Sequence, residues 1–273
     1  MSAVQPMMLR RGTAAVRMFL FPAIGSGAAA YGPLAAALPA DVTAYGFDEL
    51  PGGTVAERAA GYLAALRQLA SGGPYVLAGW SFGGFLAWEV AAQLQREGAR
   101  VELVAVIDSA WLNEDGGRLP MVSVAQDFGW LLSLAGADGE RRATLPYRRL
   151  AGMAPAAQLE LVVRALDEQG FWNPEAAAKL DGGLREFFVG TSALRGHRPG
   201  PYRGPFLLFR ATDQRLVVAD ARFRLSEPAL GWQRYADPPP TVVPLPGSHF
   251  TMLSEPSLSI IARHLGERIG ALV

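Results

Sequence analysis

No cysteine occurs in the 273 residues. That excludes disulfides, thiolate metal sites and a cysteine nucleophile. Lysine is nearly missing as well, Lys179 standing alone among arginines. Formal charge sums to zero with 18% charged residues, so no field of the kind that gathers nucleic acid is expected. No apolar run approaches the ~20 residues that span a bilayer, and Met1 to Arg17 lacks the continuous apolar core of a signal peptide. A soluble, cytoplasmic protein is the expectation. Histidine is scarce, with three in the chain, which narrows the search for a general base. Half of the residues are hydrophobic, enough to bury one large core.

The most informative segment runs from Tyr75 to Gly84. A short apolar run, Tyr75 to Ala78, enters a G-x-S-x-G turn at Gly79, Trp80, Ser81, Phe82 and Gly83. Leu86, Val90 and Leu94 then follow at helical spacing, with Gly98 placed to end the helix. Strand, sharp turn and helix form the context in which this motif is a nucleophile elbow. The serine sits in a strained turn that projects its hydroxyl, and bulky neighbours would clash with the adjoining strand and helix. A glycine-rich turn with an idle serine is the bland alternative.

Around the elbow, strands are expected at Met18–Phe21, Val42–Phe47, Val101–Ile107, Pro205–Phe209 and Thr241–Leu245. Thr54 and Glu57 form a capping box ahead of a helix carrying Val55, Ala59, Tyr62, Leu66 and Leu69 on one face. Ala28 to Leu38 reads as a helix broken near Pro33, and the last helix opens near Ser254 and Pro256. Nearly continuous apolar strands alternating with helices predict a mostly parallel sheet covered on both faces, the α/β class. Residues 1–16 read as a tail or linker and residues 17–273 as one domain. Within it, residues 17–111 and 201–273 form the core, and the helix-rich stretch 112–200 interrupts the strand rhythm as a lid would. Phe128, Trp130, Phe171 and Trp172 in that stretch are candidates to line an acyl channel, or simply pack lid helices together.

A serine hydroxyl needs a base to take its proton. His249, in the loop Pro246-Gly247-Ser248-His249-Phe250 between the last strand and the last helix, lies where this strand–helix order delivers one. His197 sits in a solvated-looking Gly/Pro/Arg loop, and His264 lies off the apolar face of the final helix. Two aspartates follow strands and could orient the imidazole, Asp108 and Asp213. The residues alone leave the choice between them open.

The segments Phe21-Pro22-Ala23-Ile24-Gly25-Ser26-Gly27 with Tyr31, Gly79-Trp80-Ser81-Phe82-Gly83-Gly84, Val106-Ile107-Asp108-Ser109 and Gly247-Ser248-His249 together resemble the type I thioesterase domains that end nonribosomal peptide and polyketide synthases. Within that family the pattern is most like the thioesterase domain of the mycolate-condensing polyketide synthase. The resemblance runs through about residues 18–270 and is weakest in the expected lid. It implies an α/β-hydrolase fold and favours Asp108 as the acid beside Ser81 and His249. It also implies an oxyanion hole from the backbone N–H groups of Phe82 and Ile24. Many relatives carry His-Pro where this chain has Pro22-Ala23, a departure that touches Ile24 most directly. The implied reaction releases an acyl, polyketide or peptide chain from the phosphopantetheine of an acyl or peptidyl carrier protein served by upstream synthase modules. It uses no cofactor and no metal, and ends in hydrolysis, transfer or cyclisation. A standalone editing thioesterase or lipase-like esterase is the enzyme alternative; an idle α/β-hydrolase-fold binding module is the alternative outside enzymes.

Overall fold

The computed structural model describes residues 4–13, 16–70, 72–111, 146, 149, 153, 155–170, 190, 193–194, 196–213, 224 and 226–272. The chain divides into two compact units, residues 1–113 with 189–273, and residues 114–188.

The first unit is built on a seven-stranded sheet: β1 (Met7–Arg10), β2 (Arg17–Phe21), β3 (Thr43–Gly46), β4 (Tyr75–Trp80), β5 (Val101–Ile107), β7 (Phe206–Ala211) and β9 (Thr241–Leu245). Their order across the sheet is β1-β3-β2-β4-β5-β7-β9. All pairings are parallel except β1 with β3. Met7–Arg10, expected to be tail or linker, is therefore an antiparallel edge strand, with Met7 facing Gly46 across the ladder. Its exposed methionines and short length gave no buried alternation to read. A separate two-stranded ladder pairs β6 (Tyr202–Arg203) with β8 (Ala236–Asp237).

Side chains alternate across the sheet as the strand repeat requires. Phe19 and Phe21 of β2 enter one core with α2 (Val55–Leu69) and α3 (Phe82–Arg96). Met18 and Leu20 enter the other, with α1 (Gly32–Ala37) and the C-terminal helix, α5 (Ser257–Gly270). The Thr54–Glu57 capping box is formed in both directions, and it holds the Glu57 carboxyl below the usual range by accepting from the Thr54 backbone N–H and hydroxyl. The helix expected from Ala28 to Leu38 with a break near Pro33 is a 3₁₀ turn, Ala28–Tyr31, followed by α1 with Pro33 in its first turn, where a missing N–H costs nothing.

Residues 189–200, expected in the lid, group with the sheet unit. Leu194 is buried there, and the Gly200 carbonyl accepts from the Trp88 indole at 2.9 Å. In the second unit the described helix is α4 (Pro155–Glu168), with Leu161 and Ala165 buried and Glu160, Arg164 and Asp167 exposed. No described helix is long and apolar enough to cross a membrane.

The chain places β3 on one side of β2 and then β4 on the other. Such a reversal opens a crevice at the carboxyl ends of the strands, the preferred ligand position in open parallel sheets. The loops after β2, β4, β5 and β9 all leave from this edge.

Candidate active site

Ser81 lies at the β4–α3 junction with φ 57° and ψ −125°, a left-handed strained backbone for a residue with a side chain. Sterics explain its flanks. A Cβ on Gly79 would collide with the backbone of Gly83, and one on Gly83 would collide with the Phe21 carbonyl on the neighbouring strand. The turn is pinned from below by the Ser81 N–H donating to the Ile107 carbonyl at 2.9 Å and by the buried Ser109 hydroxyl donating to the Ser81 carbonyl. As residue one of α3, Phe82 has a backbone N–H without an intrahelical acceptor, at the positive end of the helix dipole.

Asp108 follows β5 directly and also has a left-handed backbone, φ 50°. Its Oδ1 accepts from the Ala211 N–H at 2.9 Å, and its Oδ2 lies 2.9 Å from His249 Nδ1. With Nδ1–H donating to this carboxylate, Nε2 is the ring nitrogen left to accept a proton. Both side chains are largely buried, 9% exposed for Asp108 and 14% for His249. Asp213 is placed differently. Its backbone N–H donates to the Gly247 carbonyl at 2.9 Å, so it braces the loop that carries His249.

His249 opens a short 3₁₀ turn closed by a Ser248–Thr251 capping box. The indole N–H of Trp80 donates to the His249 carbonyl at 3.0 Å, and the two rings lie 5.3 Å apart. The residue before the proposed nucleophile thus holds the residue expected as base. The motif reading did not find this role, because its x positions carry no constraint.

The loop after β2 contains Ile24. It is fixed by Ser26 donating to the Ala23 carbonyl through its N–H (3.1 Å) and hydroxyl (3.0 Å). It is also held by two carboxylates: Glu49 accepts from the Gly25 N–H at 2.7 Å and Asp48 from the Ala28 N–H at 2.9 Å. The Tyr31 hydroxyl ties this loop's strand to the elbow, donating to the Phe21 carbonyl at 2.5 Å while accepting from the Trp80 N–H at 2.8 Å. Burial pushes the Tyr31 hydroxyl far up from its ordinary pKa, so it stays protonated to make that donation.

Of the expected lining residues, Phe128, Trp130, Phe171 and Trp172 lie outside the described residues. The expectation of a solvated His197 is corrected. The ring is buried, stacks on Trp111 at 5.9 Å, and places Nε2 3.6 Å from the buried Glu89 carboxylate. A Gly/Pro/Arg loop looks exposed in sequence, but the aromatic cluster that covers it comes from other segments. Desolvation holds His197 below the usual histidine pKa, against the pull of Glu89 and with help from Arg198. Among the described residues, no cluster of His, Asp and Glu has a metal-binding arrangement.

Residues 16–116 match the family model of the thioesterase domain. The chain is 27% identical over 263 residues to the spectinabilin polyketide synthase system protein NorC of Streptomyces orinoci, covering 92% of this chain and 10% of that protein. It is 31% identical over 170 residues to a dimodular nonribosomal peptide synthase of Bacillus subtilis, covering 60% of this chain and 6% of that protein. The chain thus spans a tenth or less of these relatives, which are large synthase proteins. Among solved structures, a four-domain nonribosomal peptide synthetase bound to AMP and glycine superposes with a TM-score of 0.71 at 23% identity, over 96% of this chain and 20% of that one. The NocB thioesterase domain in covalent complex with a fluorophosphonate nocardicin G analogue superposes with a TM-score of 0.63 at 23% identity, over 98% of this chain and 100% of that one. The chain therefore has the α/β-hydrolase fold, and its residues 16–116 carry the pattern of the thioesterase-domain family.

Proposed function

We propose that this chain is a serine thioesterase that releases an acyl, polyketide or peptide chain from the phosphopantetheine thiol of a carrier protein. The observation that carries the reading is the 2.9 Å contact between His249 Nδ1 and Asp108 Oδ2 at the strand edge where Ser81 occupies its strained elbow. Ser81 Oγ attacks the thioester carbonyl while His249 Nε2 takes its proton. Asp108 holds the required tautomer and stabilises the imidazolium. The tetrahedral oxyanion is received by the N–H groups of Phe82 and Ile24, each such donor being worth about 3–4 kcal/mol. His249 then protonates the departing thiol, leaving an acyl-enzyme on Ser81. Water gives the acid; a substrate hydroxyl or amine gives the lactone, lactam or ester. These residues complete the cycle without a metal or other cofactor.

The partners in this reading are an acyl or peptidyl carrier protein and upstream synthase modules, which the synthase relatives support, and the compartment is the cytoplasm. Within the synthase-terminal thioesterases, the motif sequence favours the type found in the mycolate-condensing polyketide synthase.

Labelling with a fluorophosphonate, followed by peptide mass spectrometry, tests the assignment. The adduct is expected on Ser81, and Ser81→Ala is expected to lose turnover of acyl thioesters while keeping its fold. An adduct elsewhere, or near-normal turnover of that variant, overturns the reading. Product masses from a panel of acyl thioesters then identify the chain and the releasing nucleophile.

A further inference from the structure

A buried cation lies beside both proposed oxyanion donors without reaching the triad. Arg58, on α2, is 2% exposed at its side chain, and its NH1 sits 3.2 Å from Glu49 Oε1. The other oxygen of the same carboxylate, Oε2, accepts from the Gly25 N–H at 2.7 Å, next to Ile24. The guanidinium carbon lies 5.4 Å from the ring centroid of Phe82. Its Nε donates to the Gly52 carbonyl at 2.7 Å, and its NH2 is buried with no hydrogen-bond partner among the described residues. One side chain thus touches the residue after the nucleophile and, through Glu49, the loop after β2.

Stability is a poor explanation for this arrangement. Burying an ion pair costs desolvation that Coulomb attraction rarely outweighs, and an unpartnered buried donor adds to that cost. An apolar side chain of similar length would pack against Phe82 without either cost. The arginine does have the shape for a tie: a rigid planar fork that bonds a carboxylate and a carbonyl while lying on an aromatic face.

We propose that Arg58 is a positioning residue that sets the spacing of the two oxyanion donors, Phe82 directly through its ring and Ile24 through Glu49 and Gly25. The inference rests on the thioesterase reading above. It requires Arg58 to matter to the tetrahedral state and not to the ground-state substrate, because the oxyanion exists only after attack. A misplacement on the order of 1 Å at such a site costs up to about a hundredfold in rate.

The test compares Arg58→Met, and the double variant Arg58→Met with Glu49→Gln that removes both charges of the pair, with the wild type at matched folded fraction. Three measurements are made: kcat and KM for an acyl thioester, affinity for an alkyl boronic acid that forms a tetrahedral adduct on serine, and Tm. A fall in kcat of about 10–100-fold is expected, with KM within about threefold, boronate affinity falling in parallel, and the double variant no less heat-stable than wild type. A folded variant with unchanged kcat and boronate affinity overturns the proposal, as does a rise in KM at constant kcat. Ser81→Ala run alongside separates the two readings. If it retains turnover, the thioesterase assignment itself fails; if it is inactive while both Arg58 variants match the wild type, this inference falls alone.

Discussion

The two faces of the sheet are packed from alternate residues of the same strands, yet they differ in kind. The face under α1 and α5 is filled by Met18, Leu20, Val76, Leu103, Leu207, Ile261 and Leu265, a nearly aliphatic layer. The face under α2 and α3 is aromatic: Phe85, Trp88, Trp111, Tyr202, Phe206 and Trp232 meet ring to ring, and Phe19 and Phe21 belong to the same core. Arg58, Glu89 and His197 are buried beside that aromatic layer. Aliphatic packing needs only volume, whereas rings supply flat faces and N–H or O–H groups that can hold buried polar partners. The aliphatic face is scaffold apart from Tyr31 and Trp80, which reach the strand edge, while the aromatic face also holds buried charges.

If that division is right, chemistry and packing separate under mutation. The largest effect is expected at the edge itself. Asp108→Asn removes the charge facing His249 and permits the wrong tautomer, and kcat should fall on the order of ten-thousandfold with little loss of stability. Asp213→Asn should stay within about tenfold of wild type at matched folded fraction, since the bond to Gly247 comes from the Asp213 backbone N–H and survives the swap. The reverse ranking in steady-state kinetics would move the acid to the loop after β7.

Leu265→Ala tests the aliphatic face. Leu265 is fully buried, so the cavity should cost about 2–5 kcal/mol of unfolding free energy, while kcat per folded molecule stays unchanged. Denaturant unfolding paired with active-site titration measures both. Loss of kcat at full folding would break the comparison.

Tyr31 sharpens it, because this side chain packs with the aliphatic layer but its hydroxyl spans the edge from Phe21 to Trp80. Tyr31→Phe strands a buried carbonyl and N–H and should cost about 1–3 kcal/mol. Unlike Leu265→Ala, it should lower kcat as well, since Trp80 holds His249.

The smallest expected effect is a slope with pH. The pKa of His197 is depressed in the folded chain, so the unfolded chain binds the proton more readily. The stabilising contribution is complete above the unfolded value near 6.5 and is lost as pH falls through the depressed folded one. Unfolding free energy measured between about pH 7 and pH 5 should therefore drop more steeply in wild type than in His197→Phe. Equal slopes would show that His197 does not couple folding to protons.

Much of this was legible in one dimension. G-x-S-x-G with its flanks, the Thr54–Glu57 box and the apolar strand runs encode local geometry, because sterics and hydrogen bonds within a few residues decide them. Chain order placed His249 after the last strand for the same reason: loops must leave a parallel sheet at fixed ends. The choice between Asp108 and Asp213 was not local. It depends on which carboxylate meets an imidazole far along the chain, and the contact forms at Asp108. Met7–Arg10 became a strand only because β3 offered an edge. The burial of His197 and Arg58, and the Tyr31 bridge, were likewise decided by segments distant in sequence. The sequence alone determined the elbow, the parallel sheet and the residue types available for chemistry. Tertiary structure decided which of them meet, because a polar side chain's partner and its exposure to water are properties of what packs around it.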